Sequence, residues 1–191
     1  MRARLLFPSL LAVIALALVG CGTQDNNTSS SGTAAASSPS ASGSSTAAQD
    51  GSGTSAVPQA LRFTGTTVDA KPFDSATLAG KPTVLWFWAP WCPTCKAQGP
   101  ETARVAAEFE GKAHVIGVAG LDKEQAMKDF VTDTKVGAFP NLSDEAGEIW
   151  KKFEITQQSV YVVLDKDGKT VFTGSLPAGK GLADKLNPLV G

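Results

Sequence analysis

Hydrophobic and polar positions divide the chain into three parts. An unbroken apolar run from Leu10 to Val19 follows Arg2 and Arg4, and a stretch from 22 to 56 contains no Leu, Ile, Val or Phe. From Val57 onward, short apolar runs alternate with amphipathic segments, the pattern of a folded domain over residues 58–191. Within it, Thr83 to Trp88 is a continuous β-branched and aromatic run between Gly80-Lys81-Pro82 and Ala89-Pro90, which predicts a central strand buried on both faces. His114 to Val118 predicts a second short buried strand. Val160 to Leu164 and Thr170 to Thr173 flank Lys166-Asp167-Gly168-Lys169 as a hairpin. Leu61 to Thr64 and Thr67 to Phe73 read as a weak strand pair around Gly65.

Helical spacing fills the gaps. A helix is expected from Cys92 to about Glu110, with Val105 and Phe109 four apart and Gly111 placed to end it. Pro100 inside that helix removes the bond to the Lys96 carbonyl and should kink the axis. Asp122 is expected to cap the next helix with Gln125 as its capping-box partner, Ala126, Met127, Phe130 and Val131 sharing one face. Ile149, Trp150 and Phe153 predict a short helix after Gly147; Leu182, Leu186 and Val190 predict a last one, weakened by Pro188. Pro140 reads as an ordinary turn. The order strand, helix, strand, helix, hairpin, helix indicates an α/β fold, a mixed β-sheet flanked by helices with an N-terminal strand extension.

Composition changes the reading of the first 57 residues. The basic start, the short apolar core and the small residue before Cys21 mark an export signal over 1–20, too short to span a bilayer permanently. The tetrad Leu18-Val19-Gly20-Cys21 resembles the bacterial lipobox, which implies cleavage before Cys21 and a diacylglyceryl group on its thiol. Two acyl chains there would hold the protein on the outer face of the cytoplasmic membrane. Cleavage without lipidation would release a soluble secreted product. Between 22 and 56, Ser, Ala, Thr and Gly fill 28 of 35 positions, so 21–57 reads as a disordered tether. As a flexible coil it would span roughly 30 to 35 Å.

Charge removes some classes of function. Seventeen basic and 18 acidic residues give a net charge of −1, with no basic run beyond Lys151-Lys152, so nucleic acid is not a partner. With one histidine, His114, and three cysteines of which Cys21 is assigned to the lipid, a protein-only structural zinc site is not expected, and no cofactor is expected.

With Cys21 assigned to the lipid, the two remaining cysteines form Cys92-Pro93-Thr94-Cys95. A disulfide closing so short a loop constrains the unfolded chain little, so the pair is expected to serve redox chemistry rather than stability. Cys92 stands at the first turn of the predicted helix, where unpaired N–H groups and the helix dipole favour a thiolate; Pro93 at the next position costs no hydrogen bond. Its pKa is expected below the ordinary thiol value of about 8.5. Cys92 is then the nucleophile and Cys95, one turn on, the resolving thiol.

The segment Trp86-Phe87-Trp88-Ala89-Pro90-Trp91-Cys92-Pro93-Thr94-Cys95-Lys96, with Pro100, resembles the active-site strand and helix of the thioredoxin superfamily. Phe73 to Pro82 and the Cys-Pro-Thr-Cys dithiol look most like its exported TlpA/ResA/DsbE-like branch. Residues 117 to 122 and Ile155-Thr156-Gln157-Gln158 look like the secreted or lipid-anchored actinobacterial DsbE and DsbF. The resemblance implies a thioredoxin-like fold and exchange with thiols or disulfides of exported proteins. It also implies a membrane electron carrier that resets the dithiol, and substrate docking on Gln158 and Ser159. Trp91, Pro93 and Thr94 would form the rim, and Trp86, Trp88 and Trp150 the core.

Three positions depart from the family. Ser159 stands where the family has a cis-proline; a cis bond before serine would cost roughly 2.5 to 4 kcal/mol, so a trans bond is expected. Trp86 and Gln98 replace an aspartate and a glutamate that sit near the dithiol in relatives, leaving no carboxylate there to relay a proton. Glu101 and Glu145 are substitutes by residue type only, and each reads as a solvated surface charge. Lys96 reads as exposed, and His114 as a bystander.

The direction of exchange stays open at this level. A thiol peroxidase on the same fold is an alternative that Ala89 disfavours, since that chemistry uses a Thr-x-x-Cys site. A metal-binding carrier lipoprotein using the same dithiol is another.

Overall fold

The structure, a computed structural model, describes residues 56–191. The predicted signal, Cys21 and nearly all of the tether lie outside the described residues. In chain order the elements are β1 (Thr64–Thr66), β2 (Pro72–Asp74), β3 (Thr83–Trp88), α1 (Pro93–Glu108), β4 (His114–Ala119) and α2 (Glu124–Thr134). They continue with β5 (Asn141–Ser143), α3 (Glu148–Lys152), β6 (Val160–Leu164), β7 (Thr170–Gly174) and α4 (Leu182–Leu186). Among the described residues no helix is long and apolar enough to cross a membrane.

Five strands form a mixed sheet in the order β5-β4-β3-β6-β7. β3 runs parallel to β4 and antiparallel to β6, with Trp86 opposite both Gly117 and Tyr161. All six residues of β3 are buried, because the sheet is covered on both faces. Val84, Trp86 and Trp88 point into one layer with Val105, Phe109, Phe130, Leu182 and Leu186. Leu85 and Phe87 point into the other, with Leu61, Leu78, Ile149 and Trp150. Trp88 stacks on Phe130 at 4.1 Å and Trp86 on Tyr161 at 6.2 Å, while Phe87 meets Trp150 edge to face at 5.7 Å.

The weak N-terminal strand pair is a short hairpin, with Gly65 opposite Phe73. Leu61 is not in it; Gln59–Leu61 is a 3-10 turn that drops Leu61 into the second core layer. β5 is an addition to the predicted order. Its three residues, Asn-Leu-Ser, carry no apolar run, and pairing with β4 makes them a strand. Pro140 is its lead-in rather than a free turn, its carbonyl accepting from the Gly117 N–H at 2.9 Å. Asn141 Oδ1 accepts from Trp88 Nε1 at 3.2 Å, and Nδ2 donates to the carbonyls of Val136 and Phe139. Gly117 leaves room for that amide, since a Cβ there would lie 2.0 Å from Asn141 Oδ1.

The predicted capping box at α2 does not form. Lys123 is the N-cap, Asp122 bonds only the Lys123 N–H, and Gln125 turns to Asp129. The cap comes from elsewhere: Glu145 Oε1 accepts from the Glu124 N–H at 2.8 Å. The preceding residue, Asp144, accepts from Glu148, Ile149 and Trp150 at the start of α3.

Candidate active site

β3 delivers the chain to the site and α1 carries it away. Cys92 has extended backbone and is the N-cap of α1, with Pro93 at the first helical position. Its Sγ accepts the Cys95 N–H at 3.0 Å, its N–H donates to the Ala89 carbonyl, and its carbonyl accepts from Lys96. Cys92 and Cys95 are joined in a disulfide, with their Cα atoms 5.3 Å apart. Both are buried in the same core layer as Trp86 and Tyr161. The helix therefore begins one residue later than the apolar pattern predicts, which places the Cys92 sulfur on an orphan N–H.

Around the disulfide, Trp91, Pro93, Thr94 and Lys96 are exposed. Trp91 is 53% exposed, yet its indole N–H donates to the Leu121 carbonyl at 3.2 Å, so the ring is held rather than free. Ser159 lies beside the end of β3, where its N–H donates to the Phe87 carbonyl at 2.8 Å. It is buried, with a left-handed φ of 67°, and Gln158 before it is half-buried. His114 is at the other end of the sheet, opposite Thr83. Burial and Lys81 hold its imidazole below the ordinary value.

The two positions that lack the family's carboxylates are hydrogen-bonded to each other. Trp86 Nε1 donates to Gln98 Oε1 at 3.1 Å, and Gln98 Nε2 donates to the Leu176 carbonyl at 2.7 Å. Next to them, Thr102 Oγ1 donates to the Gln98 carbonyl at 3.0 Å and receives the Tyr161 hydroxyl at 2.8 Å. Burial pushes the Tyr161 phenol up, beyond its ordinary range.

Neither glutamate is placed as a free acid. Glu101 is not the solvated charge its residue type suggests; it is buried, and both its oxygens are bound by Arg104, at 2.9 and 3.0 Å. That pairing raises the guanidinium above its ordinary value. Glu145 is exposed but committed to the α2 N-terminus, and the Glu124 N–H and Lys123 lower its pKa. The loop after β7 was not anticipated as part of the site. Ser175 Oγ lies 3.2 Å from Ser159 Oγ, and Leu176 receives Gln98 from 78 residues away, contacts with no local signal in the sequence.

Residues 57–172 match the model of the AhpC/TSA family. The chain is 40% identical over 132 residues to the soluble secreted antigen MPT53 of Mycobacterium tuberculosis, covering 69% of this chain and 75% of that protein. It is 31% identical over 102 residues to the thiol-disulfide oxidoreductase ResA of Oceanobacillus iheyensis, covering 53% of each. Among solved structures, MTB DsbF in mixed oxidised and reduced forms matches at a TM-score of 0.62 and 40% identity, covering 70% of this chain and 96% of that one. A secreted M. tuberculosis disulfide oxidoreductase homologous to E. coli DsbE matches at 0.60 and 37%, covering 69% and 96%. With a disulfide at the head of α1 on a thioredoxin-like sheet, the chain belongs to the AhpC/TSA family and is a thioredoxin-like thiol-disulfide oxidoreductase.

Proposed function

We propose that Cys92 is the nucleophile and Cys95 the resolving thiol in exchange with exported proteins, carried out by a head tethered through Cys21 to the outer face of the cytoplasmic membrane. The observation that carries the roles is the Cys92 sulfur at the N-cap, accepting the Cys95 N–H at 3.0 Å, where helix N–H groups and dipole favour a thiolate. In the reducing direction the Cys92 thiolate attacks a client disulfide. The first client thiolate leaves, and Cys92 is joined to the client. The Cys95 thiolate then attacks Cys92 Sγ, releasing the second client thiolate and closing the Cys92–Cys95 disulfide. Two electrons pass to the client, and a membrane electron carrier must return them. The reverse sequence oxidises a client dithiol and needs an acceptor instead.

Trp91, Pro93 and Thr94 form the exposed rim that a client meets first, and Gln158 and Ser159 form the loop on which its backbone docks. Ala89 in place of threonine favours exchange over peroxide reduction.

Cys92→Ser should abolish exchange with a model disulfide peptide, and retained activity would remove the assignment. Mass analysis of the exported protein tests the tether. A diacylglyceryl group on an N-terminal Cys21, and release of the protein from membranes by Cys21→Ala, are the expected results.

A further inference from the structure

We propose that Gln98 and Ser175 are positioning residues for exchange, which together hold Ser159 in its left-handed backbone beside the end of β3, the strand that leads to the dithiol. The inference rests on the reading that clients dock on Gln158 and Ser159. A serine at φ 67° lies in a region that glycine enters freely and other residues seldom. Such a residue persists only where its surroundings over-determine it.

Two contacts do so here. The Ser159 N–H donates to the Phe87 carbonyl at 2.8 Å, a main-chain contact supplied by β3. Its hydroxyl meets the Ser175 hydroxyl at 3.2 Å, and this contact depends on where the β7–α4 loop sits. Ser175 is itself exposed, so burial does not fix it. Its neighbour Leu176 does: the side chain packs on the core layer that contains both cysteines, and the carbonyl receives Gln98 Nε2 at 2.7 Å.

Gln98 is fully buried three residues after Cys95, and Trp86 occupies the other end of its amide. The hold on Ser159 therefore starts on the helix that carries the cysteines. It runs through Gln98 and Leu176 to Ser175, and from there to the client-docking loop. An amide suits the task, because it must accept from an indole and donate to a carbonyl at once. A carboxylate cannot donate, and a methionine thioether cannot donate and accepts only weakly.

The test compares second-order rate constants of the full chain toward a disulfide-bonded peptide and toward glutathione disulfide. Ser175→Ala should lower the peptide-to-glutathione ratio about 3- to 10-fold, since a displaced docking loop misaligns a polypeptide more than a small disulfide. Ser175→Thr, which keeps the hydroxyl, should restore the ratio to within about twofold of wild type. Gln98→Met should lower the ratio in the same direction. Adding Ser175→Ala to it should lower the ratio no further, because both act through one contact. A wild-type ratio in Ser175→Ala, or losses that multiply in the double variant, would overturn the inference while leaving the exchange reading intact. A wild-type chain that exchanges with neither disulfide would overturn the exchange reading, and this inference with it.

Discussion

The indole N–H of Trp86 donates to Oε1 of Gln98 across 3.1 Å, with both side chains fully buried, and this neutral pair occupies the two positions where the resemblance to thioredoxin-like proteins implies carboxylates near the dithiol. The Gln98 amide nitrogen in turn donates to the Leu176 carbonyl at 2.7 Å. Tryptophan and glutamine at these places therefore satisfy each other in the interior.

Replacing Gln98 by glutamate should reverse that arrangement. The new carboxylate would be buried facing a carbonyl to which it cannot donate, costing about 1 to 3 kcal/mol at neutral pH. Its folded pKa would be raised, so the fold would bind the proton more readily than the unfolded chain. Stability of Gln98→Glu should be lost as pH rises through the raised folded pKa and regained below the unfolded carboxylate value. Urea denaturation of wild type and variant at pH 7 and pH 4 checks this, and an equal deficit at both would contradict it.

Thr102 and Tyr161 form a second buried pair in which the phenol is the donor, because the threonine proton is already given to the Gln98 carbonyl. Thr102→Val leaves the phenol without a partner and should cost about 1 to 3 kcal/mol. The double variant with Tyr161→Phe should cost less than the sum of the singles. Tyr161 is also the chain's one tyrosine, so phenolate absorbance reports on it alone. Because burial raises its pKa, that absorbance should appear only above the ordinary phenol range, or when the protein unfolds.

At Gly117, a Cβ would lie 2.0 Å from Asn141 Oδ1 and 2.8 Å from Trp88 Nε1, neither of which is a loose side-chain end. Gly117→Ala should push the amide off the indole and destabilise the fold by about 2 to 4 kcal/mol, through overpacking and a lost buried hydrogen bond. Thermal unfolding measures the loss. A variant as stable as wild type would mean that β4 and β5 can separate at no cost.

Glu145 caps α2 from the loop before α3, and its carboxyl is held below the usual range by the Glu124 N–H and by Lys123. The folded pKa is depressed, so the contribution is present above the unfolded value and lost as pH falls through the folded one. Glu145→Ala should unfold at a lower temperature than wild type at pH 7, and the gap should close toward pH 3. A gap independent of pH would show that the carboxylate charge is irrelevant to the cap.

Exchange itself should divide by cysteine. Cys95→Ala should still attack a disulfide peptide through Cys92 but fail to resolve, accumulating a covalent adduct visible by mass under non-reducing conditions. An adduct formed in Cys92→Ala but not in Cys95→Ala would invert the assigned roles.

Local chemistry made much of this legible before any fold was known. The run from Thr83 to Trp88 has one stable use, a strand covered on both sides, and Cys92-Pro93 marks the helix start that places the Cys92 sulfur on the Cys95 N–H. The hairpin around Gly168 is legible for the same reason, since its turn residues lie next to one another in the chain. The helix that starts at Glu124 was expected to be capped by Asp122, but the cap is Glu145, 21 residues away. β5 became a strand only by pairing with β4. The link from Gln98 through the β7–α4 loop to Ser159 spans the chain from α1 to β7. Hydrophobic periodicity and helix-end chemistry act over a few residues and are written in the sequence. Which polar groups satisfy one another in the interior depends on which segments the sheet brings together, and only the folded chain decides that.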